Sequence, residues 1–143
     1  MNGSVVLDTS VVIKWFRQGE VLANYALALR DAYLEGQILV SAPTLLAYEL
    51  ANVLRYKADL TTAQVEDAVQ SLFDVGLELV PPSAAVVCRA VAIARECEAT
   101  VYDGTFAALA ESLNATFVTA DERLVRRLEA LPFVRFLGEV EDV

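Results

Sequence analysis

Ser4-Val5-Val6-Leu7-Asp8 puts three apolar residues, two of them β-branched, in a run of four and ends it on an acid. The run is too short for a helix and too apolar for a solvated edge, so it predicts a strand buried on both faces. Residues 38–40, 77–80, 115–118 and 133–136 repeat the pattern, the second of these stopped by Pro81-Pro82. Between these runs the apolar period changes to that of a helix. Residues 21–34 carry Val21, Leu22, Tyr25, Leu29 and Ala32 on one stripe closed by Gly36. Pro43 is expected to open a helix over 43–57, with Leu46, Leu50, Val53 and Leu54 inward. Thr61 and Gln64 fit a capping box for a helix that Gly76 ends. Residues 83–96, 103–113 and 120–131 complete the helical set. Apolar strands alternating with helices predict a parallel sheet covered on both faces, a single three-layer α/β/α domain over 1–143. The acidic C-terminal tail is expected to fray.

Composition narrows the chemistry. The chain has 143 residues and no histidine, which removes Ser-His-Asp and Cys-His catalysis, His-ligated zinc and any imidazole acid or base. A hydrophobic fraction of 56% and mean hydropathy of +0.45 allow a sizeable core and hint at further burial between copies. Twenty acids against 11 bases give a net charge of −9, which argues against broad electrostatic attraction to nucleic acid or anionic membrane. No apolar run reaches the roughly 18 residues of a membrane span. The N-terminal residues lack the basic and apolar regions of a signal peptide, so the expected compartment is the cytoplasm. Cys88 and Cys97 fall on opposite faces of one helix, about 13.5 Å apart along its axis. That distance is too long for a disulfide between them, so both are expected as small buried apolar side chains, with an intermolecular bridge left open.

In such folds ligands bind beyond the carboxyl ends of the strands. Asp8 follows the first strand and Asp121 a late one; Asp103 opens a helix, and Glu49 lies among Leu45, Leu46 and Val53. Each has a plain structural role available. Asp8, Asp103 and Asp121 sit where helix caps are common, and Thr119 with Glu122 makes a capping-box pattern. Glu49 could simply face solvent. If the four converge, however, each ionised pair about 5 Å apart repels by about 3 kcal/mol at an effective dielectric near 20. Convergence therefore calls for a divalent cation, raised pKa values, or both. All-oxygen ligands favour Mg²⁺ or Mn²⁺, and such a site suits phosphodiester hydrolysis.

Val6-Leu7-Asp8-Thr9-Ser10, Tyr48-Glu49-Leu50-Ala51-Asn52, Val101-Tyr102-Asp103 and Phe117-Val118-Thr119-Ala120-Asp121-Glu122-Arg123-Leu124 resemble, in order, the four motifs of PIN-domain ribonucleases of the VapC toxin branch. The resemblance covers nearly the whole chain. It implies a five-stranded parallel sheet, Mg²⁺- or Mn²⁺-dependent RNA cleavage, a homodimer or higher oligomer, and inhibition by a small VapB-type antitoxin. The net charge would favour a basic segment in that partner. Asp8, Glu49, Asp103 and Asp121 fall on the family's acidic positions, Ser10 on its small hydroxyl residue and Thr119 on the residue orienting the last acid. Gly104 stands where alanine or serine is commoner, and Phe106 where tyrosine is common; Gly104 is expected to loosen the Asp103 helix.

Lys14, Arg17, Arg123, Arg126 and Arg127 are either phosphate contacts or solvated cations. Tyr48 and Tyr102 are base-stacking candidates whose ordinary alternative is the core, and Trp15 is a candidate for an oligomer interface or, equally, for the core of its own chain. Competing functions are a haloacid-dehalogenase-type phosphatase with Asp8 as nucleophile, a receiver domain, and a non-enzymatic interaction module. The first wants an acid where Ser10 stands. The second wants an acidic pair where Asp8 stands alone.

Overall fold

A computed structural model describes residues 3–140. Asp142 of the acidic tail lies outside them. The elements run β1 (Ser4–Leu7), α1 (Thr9–Val12), a 3₁₀ turn (Ile13–Trp15), α2 (Ala23–Leu34), β2 (Leu39–Pro43), α3 (Leu45–Arg55), α4 (Thr62–Val75) and β3 (Glu78–Val80). They continue with α5 (Ala84–Cys97), α6 (Val101–Ser112), β4 (Thr116–Thr119), α7 (Glu122–Arg127), β5 (Val134–Phe136) and a 3₁₀ turn (Leu137–Glu139). The sheet is parallel throughout and ordered β3-β2-β1-β4-β5, the centre of a three-layer α/β/α fold. Val5, Val6 and Leu7 are fully buried in its central strand, as their composition demands. From β1 the chain winds outward through β2 and β3, then crosses back to β4 on β1's other side. The connections leaving β1 and β4 therefore diverge, which opens a crevice at the carboxyl ends of these two strands.

Helix α6 packs on β1, β2 and β4, and α5 lies along α6. Phe106 of α6 stacks on Phe117 of β4, ring centroids 6.1 Å apart, at the centre of the core. The two helices approach unusually closely. A Cβ built on Gly104 would stand 2.6 Å from the Ala90 carbonyl oxygen. Gly104 thus seats α6 against α5 rather than loosening it.

Several boundaries differ from expectation for local reasons. Pro43 ends β2 instead of opening a helix; the Thr44 amide, not Pro43, continues the ladder to the Val80 carbonyl at 3.0 Å. Helix α2 starts at Ala23, after Leu22 in a left-handed conformation at φ 62°. Helix α6 starts at Val101, because Thr100 caps it by accepting the Asp103 amide at 3.0 Å. Helix α7 spans only Glu122–Arg127. The capping box of α4 forms as expected, with Thr61 N–H to Gln64 Oε1 at 2.8 Å and Gln64 N–H to Thr61 Oγ1 at 3.2 Å. Gly76 ends that helix at φ 77°, a conformation that costs other residues. Cys88 and Cys97 are both free thiols, but neither is buried as expected: Cys88 is exposed and Cys97 half-buried.

Candidate active site

Asp8 continues the sheet by donating its amide to the Val118 carbonyl at 3.0 Å, so its side chain leaves the sheet between β1 and β4. It occupies the N-cap position of α1 but makes no side-chain cap bond. Instead Oδ2 accepts from Ser10 Oγ at 2.6 Å and from Thr119 Oγ1 at 2.8 Å. Thr119 is fully buried, and the capping box expected with Glu122 does not form because Asp121 is the N-cap of α7. Its hydroxyl oxygen also accepts the Asp121 amide at 3.1 Å, while Ser10 Oγ accepts the Ala120 amide at 2.9 Å. Two hydroxyls thus tie the acid of β1 to the turn leaving β4.

Asp121 is itself the cap of α7, its Oδ1 accepting the amides of Arg123 and Leu124 at 3.0 and 3.2 Å. Capping and facing the cleft are not exclusive here. Glu49, one turn into α3, is half-buried and accepts from Thr9 Oγ1 at 2.8 Å. Asp103, in the first turn of α6, is also half-buried. All four acids line one cleft of about 470 Å³, together with Thr9, Ser10, Ile13, Lys14, Glu20, Asn52, Val53 and Ala120.

The electrostatics match this crowding. Burial pushes the Asp8 carboxyl above its usual range; hydrogen bonds from Ser10, Thr119 and the Thr9 amide pull it back, and the charge of Asp121 adds to the rise. Burial also raises Glu49, opposed by the Thr9 hydroxyl and reinforced by Asp8 and Asp103. Asp103 is raised by burial and by Asp8 and Asp121, and lowered by Thr100 and the nearby Arg127 guanidinium. The acids feel one another, so the four segments do meet. They are not drawn into a tight cage, however. Among the described residues, no three acidic, histidine or cysteine side chains stand close enough to share one ion.

A family model described as the PIN domain matches residues 5–130. The chain belongs to the PIN-domain family. No curated protein matches this PIN domain in sequence. Among solved structures it resembles FitAcB from Neisseria gonorrhoeae at a TM-score of 0.70 and 18% identity, covering 95% of this chain and 99% of that one. It resembles a toxin-antitoxin complex from Klebsiella pneumoniae at a TM-score of 0.67 and 18% identity, covering 95% and 99%. It also resembles VapBC-5 of Mycobacterium tuberculosis, from the VapBC family of toxin-antitoxin systems, at 0.58 and 22%, covering 94% and 98%. At these identities the likeness is one of fold.

The other sequence candidates scatter. Lys14 lines the cleft. Arg17 does not, and pairs with Glu20 and with Asp59, the latter at 3.1 Å. Arg123 also lies outside the lining, and Arg127 donates to the Glu98 carbonyl at 3.2 Å. Tyr48 and Tyr102 are not core residues, being 76% and 62% exposed. Of the two expectations for Trp15 the core one holds: it is buried in its own chain and donates Nε1–H to the Ala26 carbonyl at 2.8 Å. Sequence reasoning missed Glu20 and Thr9. Nothing local distinguishes Glu20 from the other surface acids, and the Thr9 hydroxyl meets Glu49 only because α1 packs against α3.

Proposed function

We propose that this PIN domain is a divalent-metal-dependent endoribonuclease, the toxin half of a toxin–antitoxin pair. The observation that carries the reading is the meeting of Asp8, Glu49, Asp103 and Asp121 in one cleft, from four separate parts of the chain. Carboxylates that raise one another's pKa cost stability unless a cation takes up their charge. Oxygen donors without histidine or cysteine suit Mg²⁺ or Mn²⁺. Their looser spacing suits Mg²⁺ in particular, which keeps several waters and takes one or two carboxylates directly. Asp8 and Asp103 would hold it directly, with Glu49 and Asp121 reached through its waters. When bound, the cation makes a water more acidic and offsets charge building on the phosphate.

The chain's own groups supply orientation and proton handling. Ser10 and Thr119 fix the Asp8 carboxylate by both hydroxyls. Thr9 occupies Glu49 Oε1 and leaves Oε2 for the cleft. With no histidine in the chain, a carboxylate takes the proton of the attacking water. Glu49, which is not one of the two acids assigned to hold the cation and is fixed by the Thr9 hydroxyl, is the carboxylate for that task.

The antitoxin assignment draws on the neighbours, which are solved as toxin-antitoxin complexes, and on the net charge of −9, which complements a basic segment. A homodimer and a cytoplasmic location belong to the same proposal. Val87 and Val91, one turn apart on α5 and exposed, support a further buried face. The test is cleavage of a panel of tRNA and structured RNA with Mg²⁺, Mn²⁺ or EDTA, beside Asp8→Asn. Metal-dependent cutting that vanishes in the variant is expected. No cutting together with a silent metal titration would leave a non-enzymatic interaction module.

A further inference from the structure

The cleft that holds the four acids is also lined by one cation, Lys14, beside Glu20. Lys14 lies on the 3₁₀ turn that follows α1, a turn pinned by the buried Trp15. Its side chain is only 9% exposed, although it lines the same cleft as the four acids. A lysine this buried normally has its charge matched and its three N–H donors occupied. Here the one charged partner among the described residues is Glu20, whose Oε1 stands 3.8 Å from Nζ, beyond hydrogen-bond length. Glu20 does not belong to Lys14 alone, because its Oε2 takes the Arg17 guanidinium. Arg17 leans in turn on Asp59, which is 55% exposed and so screened by water. The ammonium therefore has half of one carboxylate and an open side. Nor is it spent on the catalytic acids. Among the described residues its ion pair is with Glu20, and none forms with Asp8, Glu49, Asp103 or Asp121.

We infer that Lys14 is the cleft's phosphate contact, taking a non-bridging oxygen of the bound strand, and that Glu20, braced by Arg17, is the positioning residue that aims it. The assignment rests on the nuclease reading and deepens it. The assignment places a backbone phosphate beside the 3₁₀ turn that follows α1. Arg17, fully engaged outside the lining, contributes through Glu20 rather than by touching substrate.

The test is steady-state cleavage of a short single-stranded RNA by wild type, Lys14→Met, Lys14→Arg and Glu20→Gln, between 50 and 200 mM salt, values spanning roughly the range in which phosphate contacts are read. Lys14→Met removes one partner of a largely buried pair, and Arg17 remains on Glu20 to match the charge left behind. Lys14→Gln serves as a second variant should Lys14→Met unfold. Lys14→Met is expected to raise KM about tenfold with little change in kcat. It should also reduce the slope of log(kcat/KM) against log salt by about 0.7, one single-strand phosphate contact. Lys14→Arg should restore the slope. Glu20→Gln should raise KM while keeping the slope, because the charge remains but is no longer aimed. Mg²⁺ affinity, followed by calorimetry, should not change in Lys14→Met. An unchanged salt slope, or a rise in Mg²⁺ affinity with RNA parameters unmoved, overturns the inference and makes Lys14 a counter-charge to the acids. A wild type that neither binds nor cuts RNA overturns the nuclease reading and this assignment with it. A wild type that cuts, beside an unaltered Lys14→Met, overturns the assignment alone.

Discussion

Replacing Gly104 by alanine sets two opposed effects against each other at one atom. In a helix interior Gly→Ala ordinarily gains about 1 kcal/mol from backbone entropy. The new Cβ, however, would stand 2.6 Å from the Ala90 carbonyl oxygen and 3.3 Å from its carbon. Ordinary C···O contacts lie at about 3.3–3.6 Å, so α6 must retreat by about 0.7 Å or more. The obstacle is helix backbone, which cannot turn aside as a side chain can. Overpacking of this kind costs about 1–3 kcal/mol, and a rigid obstacle points to the upper half of that range. The net expectation is a loss of about 1–2 kcal/mol, or about 3–8 °C in Tm at this chain length. Gly138 is the internal control. A Cβ there also meets an atom at 2.6 Å, but that atom is Cε2 of the Phe136 ring, which can rotate away. Thermal unfolding of both variants in EDTA measures the difference. A Gly104→Ala protein as stable as wild type, or no less stable than Gly138→Ala, would refute the argument that Gly104 seats α6 against α5.

Two further outcomes follow from the site and from its wall. The folded-state pKa values of Asp8, Glu49 and Asp103 are raised from 3.8, 4.5 and 3.8, so the native state holds these protons more tightly than the unfolded chain does. Their stabilisation is complete below those ordinary values and is lost as pH climbs through the raised ones. Metal-free Asp8→Asn, which mimics the protonated acid, should therefore gain in Tm relative to wild type as pH rises from about 4, and Mg²⁺ should close the gap. A constant difference across pH would sink the idea. Asp59, lowered by Arg17, acts with the opposite sign, but it is common to both proteins and cancels in the comparison. Trp15→Phe removes the Nε1–H bond to the Ala26 carbonyl and should cost about 1–2 kcal/mol in urea unfolding. Its elution on gel filtration should stay that of wild type, since the ring is buried within one chain; a shift in oligomeric state would return Trp15 to an interface.

The sequence reads most clearly where information is local. Alternating apolar periods yield five parallel strands with helices between them, because burial on two faces and burial on one stripe leave different spacings. The Thr61–Gln64 box and Gly76 mark the ends of α4 within a few residues of chain. The four acids were legible as candidates from their place after strands and among leucines. The pieces that went astray were settled by contacts between distant residues. Pro43 stays in β2 because the strand continues beside β3, and Thr119 serves Asp8 rather than α7 because β4 lies beside β1. The same reason explains the cations. Arg17 and Lys14 are three residues apart and look alike in sequence, yet the fold spends one on Glu20 and Asp59 and leaves the other facing the cleft. Sequence by itself determined the order of strands and helices and the stock of oxygen donors, since both follow from composition and short-range periodicity. Only the tertiary structure decided which donors meet, how far each is buried and which cation stays open, since those depend on packing between segments up to 111 residues apart.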